Sequence, residues 1–472
     1  MKVMFNPKKV INLFFLCAKF FVIVIAIASC SKNNENERVV ISVNDKVVNY
    51  SDFIRSFNLY PEYNSNSTLK DVLIQHAGKL ADDLYYLKAA ELESFDTLQD
   101  IQRKLKYILH SEMLKELYNT NVLNKIDVTD EEAWNEYKKE NISVSARHLF
   151  ARNLDEINFL YNELRKGKDF ISLAHDYFKD SLLTENGGYL GYVRITDFDP
   201  LLIDSIYNLK VGKYSHPLES SYGYHIFRID DVKQSVFLDK TYFENNKEEF
   251  KNKIRNRRAL RQSSQFVKET LHGKSVNIQR SIFNKVNHAL LKHIEIRNSQ
   301  TLMLYPNISN NEIVNVANDA KQIADSILVK FNDGSLTVKD FIKKITNMPP
   351  MHRPMILGEN NLVKVIIDMI RDKFLLEAAL DGNLDKSEIV KKNVSSAYNQ
   401  LLSDEFEKSI LLASRKEESP TKWEERRELL SSIKSEFPAK IDTSLLFKNF
   451  STENLNQKLP AIKMVIRNQY KW

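Results

Sequence analysis

The stretch from Ser143 to Asp231 constrains the fold more than any other, because its hydrophobic period switches repeatedly within one short span. Val144, Ala146, His148 and Phe150 alternate, which predicts a strand with these four on one face. Leu154, Ile157, Leu160 and Leu164 then recur at helical spacing up to Gly167, and Phe170, Leu173, Ala174 and Tyr177 predict a second, shorter helix. A polar loop follows and ends in Gly187-Gly-Tyr-Leu-Gly191. Asp199-Pro200 reads as the N-cap and first turn of a helix ending near Leu209. Tyr214 to Leu218, a Ser-Ser-Tyr-Gly turn and the strand Tyr224–Ile229 close the span. The order β-α-α-α-β-β predicts a compact α+β domain.

Within it, Ala146-Arg-His148-Leu, Gly167-Lys-Asp-Phe170 with Leu173-Ala174, Gly187-Gly-Tyr-Leu-Gly191, Leu209-Lys-Val-Gly212, Ser215-His-Pro217 and Tyr222-Gly-Tyr-His225-Ile occur in one order. By these motifs the segment resembles the parvulin family of peptidyl-prolyl cis–trans isomerases. The resemblance implies rotation of X–Pro peptide bonds, a reaction with a barrier of about 18–20 kcal/mol that makes no bond to the substrate. Such a site needs an apolar slot for proline and a few fixed polar groups that favour the twisted imide, and no cofactor or metal.

Carried over by position, His148 and His225 match the family's two central-strand histidines. Alternation points both inward from neighbouring strands, where each is the obvious hydrogen-bond partner of the other. They serve equally as a lock on the sheet or as the polar groups of catalysis. Asp180 matches the family's acidic or cysteine position; it would polarise the imide or tune the histidines, or else cap local amides as a loop residue. Phe198 and Leu202 match the proline-slot positions, with core packing as the alternative, and Ser220 and Tyr222 match its rim. Leu202 replaces an aromatic wall, and Tyr189 stands where Asp usually follows Gly-Gly. These departures keep open a second function, a chaperone whose domain recognises peptides without catalysis.

Outside this segment the chain reads as helix. Apolar residues make up 43% and charged residues 28%, ordinary for a globular protein, while Gly and Pro number only 11 each, which favours helices over a sandwich. At the N-terminus Lys2, Lys8 and Lys9 precede the apolar run Phe20–Ala26 and then Ile27-Ala-Ser-Cys30. This looks like a bacterial lipoprotein signal, with cleavage before Cys30 and lipid on its thiol. It implies an extracytoplasmic protein anchored in a membrane and facing the periplasm, on the outer membrane if the cell is Gram-negative. Cys17 leaves with the signal, so an internal disulfide is excluded. Four of the 68 basic residues precede Cys30, which leaves the remainder near neutrality against 62 acidic ones and gives no reason to expect nucleic acid as a partner. The basic run Lys251–Arg261 lacks interleaved aromatics and reads as a solvated helix face, helped by Glu244, Glu248 and Glu249.

Val43–Phe53 aligns without gaps onto Phe331–Phe341, Leu87–Asp96 onto Leu376–Asp385, and Ile108–Glu112 onto Leu401–Glu405. Two strand–turn–helix units of this kind resemble the chaperone segments flanking parvulin domains in SurA-type and PrsA-type foldases. The expected organisation is a signal peptide over 1–29, a polar tether over 30–38 and a helical chaperone segment over 39–142. The parvulin-like domain over 143–232, a helical linker segment over 233–327, a second chaperone-like segment over 328–418 and a tail over 419–472 complete it. The resemblance implies unfolded or exported polypeptides containing X–Pro bonds as partners.

Overall fold

The computed structural model describes residues 2–4, 38–59, 62–63, 67–178, 184–220, 222–234, 238–294, 307–414, 420–456 and 462–463. They fall into two compact units, one of residues 118–272 and one that joins 1–117 to 273–472. In the second unit, Lys2–Met4 pair antiparallel with residues 275–277, and residues 39–49 form the hairpin β1 (Val39–Val43) and β2 (Lys46–Asn49), turned at Asn44 in the left-handed conformation that Asn tolerates. Helix α1 (Tyr50–Leu59) follows, then α2 (Leu69–Leu92), opened by a capping box between Thr68 and Asp71, and α3 (Gln99–Asn121). Along α2, Leu73, Ala77, Leu84 and Leu87 form a helically spaced buried stripe, with Leu69 and Leu80 packed at its edge.

The unit of residues 118–272 places α4 (Asp130–Glu140) before its sheet, opened by a capping box in which Thr129 and Glu132 satisfy each other's backbone amides. The sheet that follows comprises β3 (Ile142–Ala151), β4 (Tyr189–Arg194), β5 (Leu218–Glu219) and β6 (Tyr224–Gln234), antiparallel throughout in the order β4-β3-β6-β5. Helices α5 (Leu154–Arg165) and α6 (Phe170–Tyr177) cover one face, burying Ile157, Leu160, Leu164, Phe170 and Leu173 against Leu149 and Ile226. The other face buries Val144, Ala146, Phe227 and Ile229 under Ile195, Leu202 and the single turn α7 (Ile203–Tyr207). Two local expectations fail here. The sequence places Gly187–Gly191 at the end of a loop, whereas Tyr189–Arg194 form β4, a strand by its pairing with β3. The helix expected from Asp199 starts only at Ile203, because Asp199 closes a separate turn with its side chain on the Leu201 amide and its carbonyl on the Leu202 amide. Helix α8 (Lys240–Thr270) then lies along α4, packing Phe243 and Phe250 on Ala133 and Tyr137.

The basic run on α8 is partly solvated and is paired from two sides. Lys251 pairs with Asp130 at 2.5 Å, Lys253 with Glu140, Arg257 with Glu136 and Arg258 with Glu132, so α4 adds partners to the upstream glutamates, of which Glu248 lies 3.8 Å from Lys251 and Glu249 2.8 Å from Lys253. The Arg257–Glu136 pair is bidentate at 2.5 Å and buried.

The chain then returns to the unit that holds residues 1–117 through β7 (Ser275–Ile278), α9 (Arg280–Ile294) and α10 (Asn310–Asp319). Its second hairpin, β8 (Ile327–Phe331) and β9 (Gly334–Thr337), leads into α11 (Val338–Thr346), α12 (Glu359–Asp381) and α13 (Glu388–Ser414). The repeat is structural. Ile41 pairs with Val48 as Val329 pairs with Leu336, and both hairpins carry a bulge one position earlier. Ser94 and Asn383 take the same left-handed turn after α2 and α12. Because α3 and α13 begin in phase after that turn, Ile108 corresponds to Ala397, one helical turn before the expected Leu401; a shift of one turn keeps the same apolar face, which is why the sequence misplaces it.

Each hairpin gains a third strand from a distant stretch. β7 pairs with β8, and β10 (Lys440–Ile441) pairs with β1 in the same register. Leu401, Leu402 and Phe406 of α13, Ile433 of α14 (Pro420–Glu436), and Leu445 and Leu446 of α15 (Thr443–Phe447) complete the core around α1 and α2. The residues read as a tail therefore close the N-terminal core. Among the described residues no helix is long and apolar enough to cross a membrane, and no cluster of His, Cys, Asp and Glu suits a metal ion.

Candidate functional site

The inner face of the sheet places His148 and Phe150 of β3 beside His225 and Phe227 of β6, with Phe150 opposite His225 and His148 opposite Phe227. The predicted inward direction of both imidazoles is correct, but their predicted hydrogen bond is absent. The rings stack, 5.8 Å between centroids and 21° apart, inside a ladder of aromatic faces. Phe178 lies 5.4 Å from His148, and Phe227 and Phe150 lie 5.5 and 5.0 Å from His225. His148 Nε2 and His225 Nδ1 are buried without a partner among the described residues. Burial lowers His148 to a pKa of about 4, and the neighbouring His225 adds to the shift. Burial also lowers His225 to about 4, against an opposing pull from the Asp199 carboxylate. Both rings are neutral at pH 7 and act as hydrogen-bonding groups, not as charges.

The loop before β6 orients His225. Ser220 Oγ lies 2.8 Å from His225 Nε2, donates to the Gly223 carbonyl at 3.2 Å, and accepts the Tyr222 amide at 3.1 Å. Tyr222 itself is 81% exposed, beside the ladder and free of the core. Gly223 is required here, since a Cβ would sit 2.6 Å from the Ala151 carbonyl. Buried Ser215, from the Ser-His-Pro motif, pins the ladder from below by accepting the Phe227 amide at 3.0 Å.

Phe198 and Leu202 part ways. Phe198 is half-buried and meets Phe227 edge-on, 5.4 Å between centroids, so its ring forms an apolar wall open on one side. Leu202 is 2% exposed and belongs to the core beneath that wall. Asp180 and Cys30 lie outside the described residues.

Sequence reasoning missed Phe178 and Arg147. Phe178 follows α6 with no periodic signal, yet it covers the outer side of His148. Arg147 bonds Asp230 at 2.9 Å, the Asn186 carbonyl, and the Gly187 carbonyl at 3.2 Å, and its guanidinium lies 5.0 Å from the Tyr189 ring centre. Tyr189, the residue that departs from the family's Asp, thus serves as a stacking surface for the arginine that holds the glycine loop.

The family of rotamases described as the PPIC-type PPIase domain matches residues 150–231. Foldase protein PrsA of Oceanobacillus iheyensis is 24% identical over 237 residues, 46% of this chain and 75% of that protein. Foldase protein PrsA of Caldanaerobacter subterraneus subsp. tengcongensis is 31% identical over 155 residues, 32% of this chain and 48% of its own length. The parvulin-like PPIase of Rickettsia bellii is 26% identical over 223 residues, 44% of this chain and 78% of that protein. Each of the three matches spans less than half of this chain.

Proposed function

From a chain whose residues 150–231 are a PPIC-type peptidyl-prolyl isomerase domain, we infer a foldase that isomerises X–Pro bonds in polypeptides outside the cytoplasm. The observation that carries this reading is the half-open Phe198–Phe227 wall beside two neutral, buried imidazoles. An apolar wall takes the proline ring, and fixed uncharged donors and acceptors favour the twisted imide, whose carbonyl and nitrogen have lost their resonance. Asp180 is the acidic group of this site, Ser220 holds His225 in one orientation, and Tyr222 rims the slot. Leu202 supports Phe198 from the core.

The helical unit holds clients, as the curated relatives' name of foldase suggests for this chain. The protein is tethered to a membrane through lipid on Cys30, on the periplasmic side and on the outer membrane in a Gram-negative cell. Its partners are unfolded or exported polypeptides containing X–Pro bonds, with no part for nucleic acid or a cofactor.

The test uses the whole chain in a proline-limited refolding assay. Phe198→Ala should slow catalysed refolding at least about tenfold while lowering the melting temperature little, since its ring is only half-buried. A wild type that suppresses aggregation of a client without accelerating refolding would establish the non-catalytic chaperone instead. Loss of activity and stability in step would make Phe198 a core residue.

A further inference from the structure

The slot described above stands on a short, uncapped element. Helix α7 is a single turn of five residues, and its N-cap, Leu202, contributes no side-chain cap. A helix this short does not sustain itself. Ile203 and Ile206 seat it on the core of the sheet, and its polar support comes from α4 and α8, outside the catalytic motifs. Arg261 Nη2 donates to the Leu201 carbonyl at 3.0 Å, next to Leu202 and three residues after Phe198. Arg261 Nη1 reaches Asp204 Oδ2 at 3.3 Å, and Lys139 Nζ reaches Asp204 Oδ1 at 2.7 Å. Arg257 Nη2 lies 3.7 Å from the same oxygen and is itself fixed by its bidentate pair with buried Glu136. Lys139 also sits over the Tyr207 ring, 5.0 Å from its centre. Burial opposes ionisation of Asp204, but the Lys139 hydrogen bond and the three cations outweigh it and hold the carboxyl below its usual range.

We propose that Arg261 and Asp204 are positioning residues: together with Lys139 and Arg257 they clamp α7 to the α4–α8 pair and thereby set Leu202 and, above it, the Phe198–Phe227 wall that receives proline. The proposal rests on the reading of that wall as the proline slot. It assigns a role to the basic run of α8 that the isomerase motifs leave unused, and it makes slot geometry a property of residues on both sides of the catalytic segment. The clamp lines a cleft of about 450 Å³ with Glu132 and Tyr207, so water and salt reach it and screening weakens it.

The experiment compares wild type, Arg261→Ala, Arg261→Lys and Asp204→Asn in the full chain. Hydrogen exchange is read at the Leu202 and Ile206 amides, which donate to the Asp199 and Leu202 carbonyls at 2.8 and 3.0 Å. Steady-state kinetics and the Kd of a short proline peptide are measured on the same preparations. Arg261→Ala and Asp204→Asn should speed exchange at both amides and raise KM and Kd about 3- to 5-fold, the range of a part-exposed ion pair, with kcat within about twofold. Arg261→Lys, which keeps the charge but loses the planar fork, should fall between. Unchanged exchange overturns the clamp. Faster exchange with unchanged KM and Kd leaves a support for α7 that does not set the slot, and overturns the positioning role. A wild type without isomerase activity sinks the catalytic reading alone; the exchange and Kd measurements then still decide the clamp.

Discussion

His148 and His225 differ from surface histidines in one respect that can be measured. Each has a pKa near 4 in the folded chain, against about 6.5 when unfolded. The unfolded state therefore binds more protons between those values, and stability must rise with pH across that window. The contribution is complete above about pH 6.5 and is lost as the pH falls toward 4. Calorimetry of wild type and His148→Phe from pH 4 to 7 should show the variant losing less stability on acidification, with the aromatic stack on Phe178 and Phe227 preserved. Parallel profiles for the two proteins would mean that His148 does not titrate in this way. His76, held near 4 chiefly by burial between Phe53 and Phe57, adds a similar slope in the other unit, so the difference between proteins is the informative quantity.

At the scale of elements, the glycine loop and β4 depend on one close approach. Gly188 has φ of +74°, its carbonyl accepts the His148 amide at 2.9 Å, and a Cβ there would lie 2.4 Å from the His148 carbonyl. Gly188→Ala must move β4 away from β3 or distort the strand that carries His148. Urea denaturation of the unit of residues 118–272 should show a loss of at least about 2 kcal/mol, from the left-handed backbone and the clash together. An unchanged midpoint would mean that the loop relaxes without disturbing β3. The two glycines were legible in the sequence as a motif, and the structure supplies their reason. The strand after them was not legible, because pairing with β3, not its own side-chain pattern, makes it a strand.

At the scale of the whole molecule, the N-terminal hairpin and α2 owe their core to residues far along the chain. Tyr85 Oη donates to the Phe437 carbonyl and accepts the Ala439 amide, at 3.0 and 2.8 Å, and β10 covers the edge of β1. Ile433, Leu445 and Leu446 are buried in that core. Burying side chains of this size contributes about 1.5–3 kcal/mol each, so their joint loss rivals the net stability of an ordinary domain, about 5–15 kcal/mol. Truncation after Ser414 should leave residues 38–117 sensitive to limited proteolysis and remove one calorimetric transition, while the transition of residues 118–272 persists. Resistance equal to that of the full chain would show that these contacts are dispensable.

The sequence by itself determined what depends on neighbours along the chain: the helical stripes, the Thr129 capping box, the alternation that turns His148 and His225 to one face, and the repeat of hairpin and helix. These follow from side-chain period and local hydrogen bonding, which a few adjacent residues settle. Tertiary structure alone decided which partner each element met. It turned the expected histidine hydrogen bond into a stack, moved Leu202 from the slot wall to the core, and gave the arginines of α8 to the acids of α4 and Asp204. It also returned the last helices to the first hairpin. Charge pairing and burial between distant segments carry no periodic signature, since any acidic face suits a basic one and any apolar stripe suits another until the chain has closed around them.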